Sequence, residues 1–206
     1  MKNAKHIGLA VVTATALMAC VGSSTASATV LCSTTTSPCT SKWPTGSKLT
    51  FNLSSGGSSK IVTTDEKTTL ETCSSGSVEG EVTNAGSSTT TVTVRWLKWT
   101  FGICSFPITI TIIGASEFHY SFPIHLTVTG DSEIKWTIHT VLFGSCAYGF
   151  TAGTSLGTVA GGSPATFTAN AVAKKLTGSE AACPETAKWT ASYTQSGSTS
   201  LFGESS

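Results

Sequence analysis

The chain has 206 residues, of which 11% are charged, and 12 basic against 11 acidic side chains give a net charge of +1. Charge this sparse and balanced excludes a nucleic-acid-binding protein, because phosphate binding requires clustered lysines and arginines and the only arginine is Arg95. The length is sufficient for one sizeable hydrophobic core.

The first 28 residues have the pattern of an export signal. Lys2, Lys5 and His6 form a basic region, 7–19 is an apolar run, and Ala-Ser-Ala at 26–28 is a small-residue cleavage site. The apolar run is too short to cross a bilayer core about 30 Å thick as a helix. We therefore expect cleavage after this site, secretion of the remaining chain, and no transmembrane anchor.

A second signal overlaps the first. Leu17-Met18-Ala19-Cys20 is similar to a bacterial lipobox, in which the cysteine is acylated and becomes the first residue. Methionine is uncommon at the position of Met18, whereas the cleavage site downstream is well formed. The sequence therefore favours an extracellular protein over one that is lipid-anchored at the cell surface through Cys20.

The mature chain contains an even number of cysteines, which in an exported protein predicts disulfides. A zinc site is disfavoured, since no C-x-x-C pair occurs and no cysteine is spaced from a histidine in a ligand pattern. Sequence alone permits many pairings of these cysteines, but local hairpins bring cysteines that follow one another along the chain close together. The predicted pairs are therefore Cys32–Cys39, Cys73–Cys104 and Cys146–Cys183.

Apolar and hydroxylated residues alternate with a period of two, and no long window has a convincing helical period. This pattern is typical of half-buried antiparallel strands. Strands are predicted at 48–53, 60–64, 68–73, 77–83, 89–101, 108–112, 124–129, 133–141, 165–176 and 187–194. About ten short strands indicate an antiparallel β-sandwich or a Greek-key barrel, stapled by disulfides.

No shift in composition indicates a second domain. We expect a single all-β domain over 29–196, followed by a polar C-terminal tail over 197–206. The tail is expected to fray, with Leu201-Phe202 as its one docking point.

One predicted strand breaks its alternation. In TVTVRWLKWTF the apolar positions run through Val94 and Trp96 and then jump to Leu97, Trp99 and Phe101. A β-bulge at Trp96-Leu97, or burial of both faces, reconciles the two sets. Without either, Trp99 and Phe101 would form an exposed patch, and core packing is the favoured alternative.

Three histidines of the mature chain lie close together in the sequence. If 124–129 and 133–141 form a hairpin around 130–132, His125 lies opposite or diagonal to His139 on the polar face. The pair could then bind a transition metal, with His119, Glu117 or Glu133 as a third ligand. The favoured interpretation is an ordinary polar face without a metal, because two histidines supply neither a third ligand nor its supporting contacts.

Two further patterns are weak evidence for catalysis. Residues 153–157 match G-x-S-x-G, but no histidine follows position 139 and no helix is expected after the motif. Glu79 and Glu81 lie on one strand face about 7 Å apart, a separation that glycosidases use, although alternating surface acids are far commoner. The tryptophans are expected in the core rather than stacked on sugars.

Four segments carry a family resemblance: LCSTTTSPC, ETCSSGSVEGEVTNAGSS, GGSPATFTANAVAKKL and CPETAKWTASYT. Through the positions of cysteine, glycine and tryptophan, the chain resembles a set of secreted actinobacterial proteins that have no established activity. The resemblance spans most of the mature region. It implies no catalytic or binding residues, and an apolar residue at the position of Cys20 in these proteins further favours secretion.

The sequence favours a secreted, non-catalytic β-protein that binds an extracellular or cell-envelope ligand, and it calls for no cofactor. One alternative is an extracellular hydrolase or metal-dependent enzyme that uses the face carrying His125 and His139. Another alternative is a carrier of a small apolar ligand, which requires a barrel wide enough to contain a cavity.

Overall fold

The computed structural model describes residues 29–87, 89–113, 117–121, 125–129, 133–197 and 199–205. The predicted export signal at 1–28, with Cys20, lies outside these residues. Every regular element of the described chain is a β-strand, and the strands pair antiparallel. The all-β prediction is confirmed.

The strands follow one another through short connections. Their bounds are β1 Thr29–Cys32, β2 Lys48–Leu53, β3 Ser59–Thr63, β4 Thr69–Asn84, β5 Val92–Cys104, β6 Ile108–Ile113, β7 Glu117–Ser121, β8 His125–Thr129, β9 Glu133–Thr140, β10 Gly144–Phe150, β11 Ser155–Ala160, β12 Thr166–Lys175, β13 Thr186–Gln195 and β14 Phe202–Ser205. Alternating apolar and hydroxylated side chains favour the extended conformation along most of them.

The larger sheet closes on itself. Its ladders run from β2 through β13, β12, β11, β8, β7, β5 and β4 and back to β2. Strand β3, like β2, pairs with both β13 and β4, but at a different part of these two strands. Strands β10, β9 and β6 form a branch of this sheet: β10 pairs with the C-terminal end of β12, β9 pairs with β10, and β6 pairs with β9. The first and last strands, β1 and β14, form a separate two-stranded sheet.

The core is built around one tryptophan on the inner side of the closed sheet. The ring centroid of Trp99 lies 4.4 Å from that of Trp189 and 6.2 Å from that of Trp136. Trp189 Nε1 donates a hydrogen bond of 2.9 Å to the buried Ser59 Oγ. Large buried rings supply much of the apolar area on which this fold depends.

The phase break in β5 is a β-bulge, as predicted. Lys98 pairs with Glu79 and Trp96 pairs with Gly80, so Leu97 is the extra residue of the ladder. Leu97 is exposed, whereas Trp96 and Trp99 are both 5% exposed. The bulge lets both tryptophans reach the core from one strand.

The three disulfides join the cysteines in chain order, as predicted. Their Cα–Cα distances are 5.9, 4.0 and 5.6 Å for Cys32–Cys39, Cys73–Cys104 and Cys146–Cys183. Disulfides persist in oxidising compartments, so they indicate an extracellular setting for the folded chain.

Several boundaries differ from the prediction. The candidates at 68–73 and 77–83 are one strand, β4, and no candidate covered β1, β7, β10, β11 or β14. The prediction of a frayed tail is wrong, because β14 pairs with β1 and the Glu204 carboxylate accepts hydrogen bonds from Cys39 N and Ser37 Oγ. The expected docking point is confirmed in part, since Leu201 is fully buried while Phe202 is half-buried.

The predicted hairpin between 124–129 and 133–141 is wrong. The ladders of β8 join it to β7 and β11, and those of β9 join it to β6 and β10. Residues 108–112 have the same apolar alternation as 124–128, and they take the place beside β9: Ile110 pairs with Trp136 and Ile112 with Ile134. Alternation specifies the face of a strand, but it does not specify the partner.

Candidate functional site

The histidines do not meet as the hairpin predicted. His125 pairs with Ser121 and Thr158 on its two neighbouring strands, and His139 pairs with Ser145 on β10. The ladders instead place His119 and His125 at diagonal positions of the β7–β8 pair. The juxtaposition of His125 and His139 that suggested a metal-dependent enzyme therefore has no basis in the strand pairing.

Two clusters of metal-ligating residue types occur within the described ranges. One contains Glu204 beside the Cys32–Cys39 disulfide, and the other contains Glu71 beside the Cys73–Cys104 disulfide. A sulfur held in a disulfide is not a thiolate and does not ligate a metal in the usual way. Each cluster therefore offers a single carboxylate as a metal ligand.

The G-x-S-x-G segment is not a nucleophile elbow. Ser155 begins β11, Leu156 is buried, and the residues after Gly157 continue the strand. Gly157 has a φ of +147° at a register shift, and a Cβ there would lie 2.0 Å from the Thr168 carbonyl oxygen. The glycine is required by a strand irregularity, and the serine lacks the strained strand-to-helix turn that catalysis needs.

The other candidate groups also have structural roles. The Glu81 carboxylate forms an ion pair of 3.0 Å with Arg95 on the neighbouring strand. All five tryptophans are buried, which removes them as a sugar-stacking surface: Trp43, Trp96, Trp99, Trp136 and Trp189.

A small apolar cavity lies inside the closed sheet. Its volume is about 20 Å³, and its described lining includes Phe51, Trp96, Val159 and Phe167. A space of this size holds about one water molecule, whereas ligand pockets occupy roughly 300–1,000 Å³. The described interior gives no support to the small-ligand carrier.

The most unusual surface is a set of three exposed aliphatic side chains, here called the apolar rim: Ile103, Val141 and Leu142. Their exposed fractions are 81%, 86% and 79%. Ile103 precedes the turn between β5 and β6, and the other two form the turn between β9 and β10. Such residues are normally buried, so their exposure at the end of β5 and in the β9–β10 turn suggests a contact surface.

The ladder between β6 and β9 brings the two turns side by side. Ile108 pairs with Ile138, and His139 N donates a hydrogen bond of 3.1 Å to the Pro107 carbonyl oxygen. The β5–β6 turn therefore lies next to the β9–β10 turn at one end of the branch. Phe106 and Phe143 are half-buried beneath these turns and pack against the core.

The β5–β6 turn is held by a buried carboxylate. Glu71 is 1% exposed, and its oxygens accept hydrogen bonds from the amides of Thr72 at 2.8 Å, Ser105 at 2.9 Å and Phe106 at 3.1 Å. The adjacent Cys73–Cys104 disulfide ties the same turn to β4. Ile103 has a φ of +51°, which an isoleucine adopts only when its surroundings impose it.

Sequence reasoning missed this surface, although a signal was present. Val141-Leu142 precedes Phe143-Gly144 at a point where the strand alternation ends and a polar turn would be expected. Ile103 likewise follows Gly102 at the end of a strand. Aliphatic residues in a turn were therefore the available signal.

No protein-family model, curated protein or solved structure matches this chain. Within the described ranges, no helix is long and apolar enough to cross a membrane. The fold and the disulfides define the chain as a disulfide-bonded all-β protein, and its function must be argued from its own residues.

Proposed function

We propose that this protein is a secreted, non-catalytic module that binds an apolar lipid surface of the cell envelope through the apolar rim. The observation that carries the proposal is the exposure of Ile103 at the end of β5 and of Val141 and Leu142 in the β9–β10 turn. The predicted export signal and the disulfides support an extracellular location.

The strength of such a contact follows from the area available. Complete burial of a valine, leucine or isoleucine contributes about 1.5–3 kcal/mol, so three side chains contribute roughly 5–9 kcal/mol before the cost of association. The net result is a weak and reversible attachment.

The charge around the rim specifies the kind of lipid. Residues 101–108 and 140–146 include no lysine, arginine, aspartate or glutamate. The exposed side chain of Glu180 lies beside Gly144 and places an acidic group near the β9–β10 turn. Binding to anionic headgroups requires basic residues near the surface, and that contribution is reduced by salt. We therefore expect neutral lipids to be bound at least as tightly as anionic lipids, with no strengthening of binding at low salt.

Co-sedimentation with phosphatidylcholine vesicles, with and without phosphatidylglycerol, tests the proposal. Replacing Val141 and Leu142 together by serine should weaken binding at least about tenfold, because the burial of two aliphatic side chains is lost. Val172→Ser is the matched control, since Val172 is 47% exposed on β12. Failure of the unmodified protein to bind either vesicle, or unchanged binding by the double variant, would contradict the proposal.

A further inference from the structure

Strand β6 is the terminal strand of the sheet branch. It pairs with β9 without interruption from Ile108 to Ile113, and no other ladder to it is present among the described residues. Although β5 immediately precedes it in the chain, the two do not form a hairpin ladder. The outer edge of β6 therefore presents main-chain groups that no described strand satisfies.

The alternation of the ladder identifies these groups. The Pro107 carbonyl points toward β9, where it accepts a hydrogen bond from His139 N. Successive residues of a strand point their N–H and C=O groups to opposite sides, so Thr109 and Thr111 also point toward β9. The outward donors and acceptors are then those of Ile108, Ile110 and Ile112.

The edge lacks the features by which proteins prevent strand addition. The segment ITITII contains no charge and no proline, and its ladder with β9 contains no bulge. The outer edge of β5 differs, because it carries the bulge at Leu97, the charge of Lys98 and the positive φ of Ile103. This difference favours β6 as the edge to which another strand adds.

The sequence of β6 specifies its partner. Ile108-Thr109-Ile110-Thr111-Ile112 reads the same in both directions. We infer that β6 pairs antiparallel with β6 of a second copy of this chain, about a two-fold axis at Ile110. Ile108 then faces Ile112 of the other copy, and Thr109 faces its Thr111, so each residue keeps its own face of the sheet.

This register also satisfies the free main-chain groups. Ile110 faces its own counterpart, and all three isoleucines exchange hydrogen bonds with isoleucines of the other copy. The pair forms about six main-chain hydrogen bonds, because each antiparallel hydrogen-bonded pair exchanges two. The half-buried isoleucines remain on the core side in both copies, and the exposed threonines remain on the outer side.

Charge does not oppose the pairing. The nearest cation on the adjoining strand is Lys135, which pairs with Thr111. In the dimer, three strand spacings of about 4.8 Å and an offset of two residues along the strands place the two copies of Lys135 more than about 14 Å apart. That separation exceeds the Debye length of about 8 Å at physiological salt, so their repulsion is largely screened.

Reciprocal charge variants test the inference by sedimentation equilibrium on the purified exported protein. Replacing Thr109 and Thr111 by lysine in one variant, and by glutamate in the other, places like charges opposite each other in each homodimer. We expect the unmodified protein to dimerise and each variant to dissociate at least about tenfold more readily. An equimolar mixture should form the heterodimer again, because every facing pair is then Lys–Glu.

Thr137→Lys on β9 is the control, since it adds the same charge one strand away from the edge. Its dimer should dissociate like that of the unmodified protein. A monomeric unmodified protein would overturn the inference, and so would homodimers of both variants or a mixture that stays monomeric. Vesicle binding through the rim is measured separately, so failure of either experiment leaves the other interpretable.

Discussion

At the scale of single residues, the clearest arrangement is the carboxylate of Glu71 in the β5–β6 turn. Three main-chain amides donate to this carboxylate, which is itself almost fully buried. Hydrogen bonds to a charged acceptor are stronger than neutral ones, and buried donors without a partner are costly. Glu71 therefore holds the turn that presents Ile103.

Glu71→Ala should lower the free energy of unfolding by at least about 2 kcal/mol, because the amides of Thr72 and Phe106 lose a charged acceptor and Ser105 N keeps only its bond of 3.0 Å to the Thr72 carbonyl oxygen. Glu71→Gln should lower it less, since one amide oxygen still accepts. Urea unfolding followed by tryptophan fluorescence measures both. Glu79→Ala, at a half-buried position on the same strand, is the control, and an equal effect of the two alanine variants would contradict this role of Glu71.

A second residue gives the fold a dependence on alkaline pH. Burial, together with the negative charge of Glu185, raises the pKa of Tyr148 to about 12 from its ordinary value of 10.0. Above pH 10 the unfolded chain loses this proton and the folded chain keeps it, so stability falls between about pH 10 and 12. Tyr148→Phe should show a smaller loss in this range, measured by urea unfolding at each pH, and an unchanged pH dependence would contradict the assignment.

At the scale of elements, the bulge in β5 accommodates an extra residue without turning the core side chains outward. Leu97 and Lys98 both point outward, between two buried tryptophans. Removing Leu97 leaves Trp96, Lys98 and Trp99 in regular alternation, with the tryptophans still on the inner face. The extra residue is therefore not needed for the alternation, and the bulge keeps both tryptophans inside while Leu97 is present.

Deletion of Leu97 should consequently preserve the fold. Deletion of Thr100, a regular residue of the same strand, should destabilise the protein by at least about 2 kcal/mol more, because it turns Phe101 outward and displaces Cys104 from Cys73. Urea unfolding and a free-thiol assay compare the two deletions. Equal loss of stability would show that the assigned position of the bulge is wrong.

At the scale of the whole molecule, the disulfides differ in how much chain they close. Cys146–Cys183 spans 37 residues, whereas Cys32–Cys39 spans 7. The entropy of closing the loop in the unfolded chain predicts a contribution of about 4 kcal/mol for the longer loop and about 2 kcal/mol for the shorter one. The long loop joins β10 to the segment before β13, which are distant in sequence.

Replacing Cys146 and Cys183 together by alanine should therefore lower the free energy of unfolding more than replacing Cys32 and Cys39. Denaturant unfolding of the two double variants under identical non-reducing conditions provides the comparison. The reverse order would mean that native packing around Cys32, rather than loop closure, controls the contribution of these bridges.

The sequence by itself determined most local features of this protein. Alternation indicated β2, β6 and β12 nearly to the residue, the phase break located the bulge at Leu97, and chain order predicted the cysteine pairs. These features depend on a few neighbouring residues and on which side chains avoid water, so a local pattern carries the information.

Only the tertiary structure decided which strands are partners and which turns meet. Ile110 and Leu126 lie in segments of the same pattern, yet β6 took the place beside β9 that the sequence suggested for β8. Three main-chain amides around Glu71 and three aliphatic side chains in the rim come together from separate segments. Competition among similar strands for a partner is resolved by packing of the whole chain, and no local window contains that information.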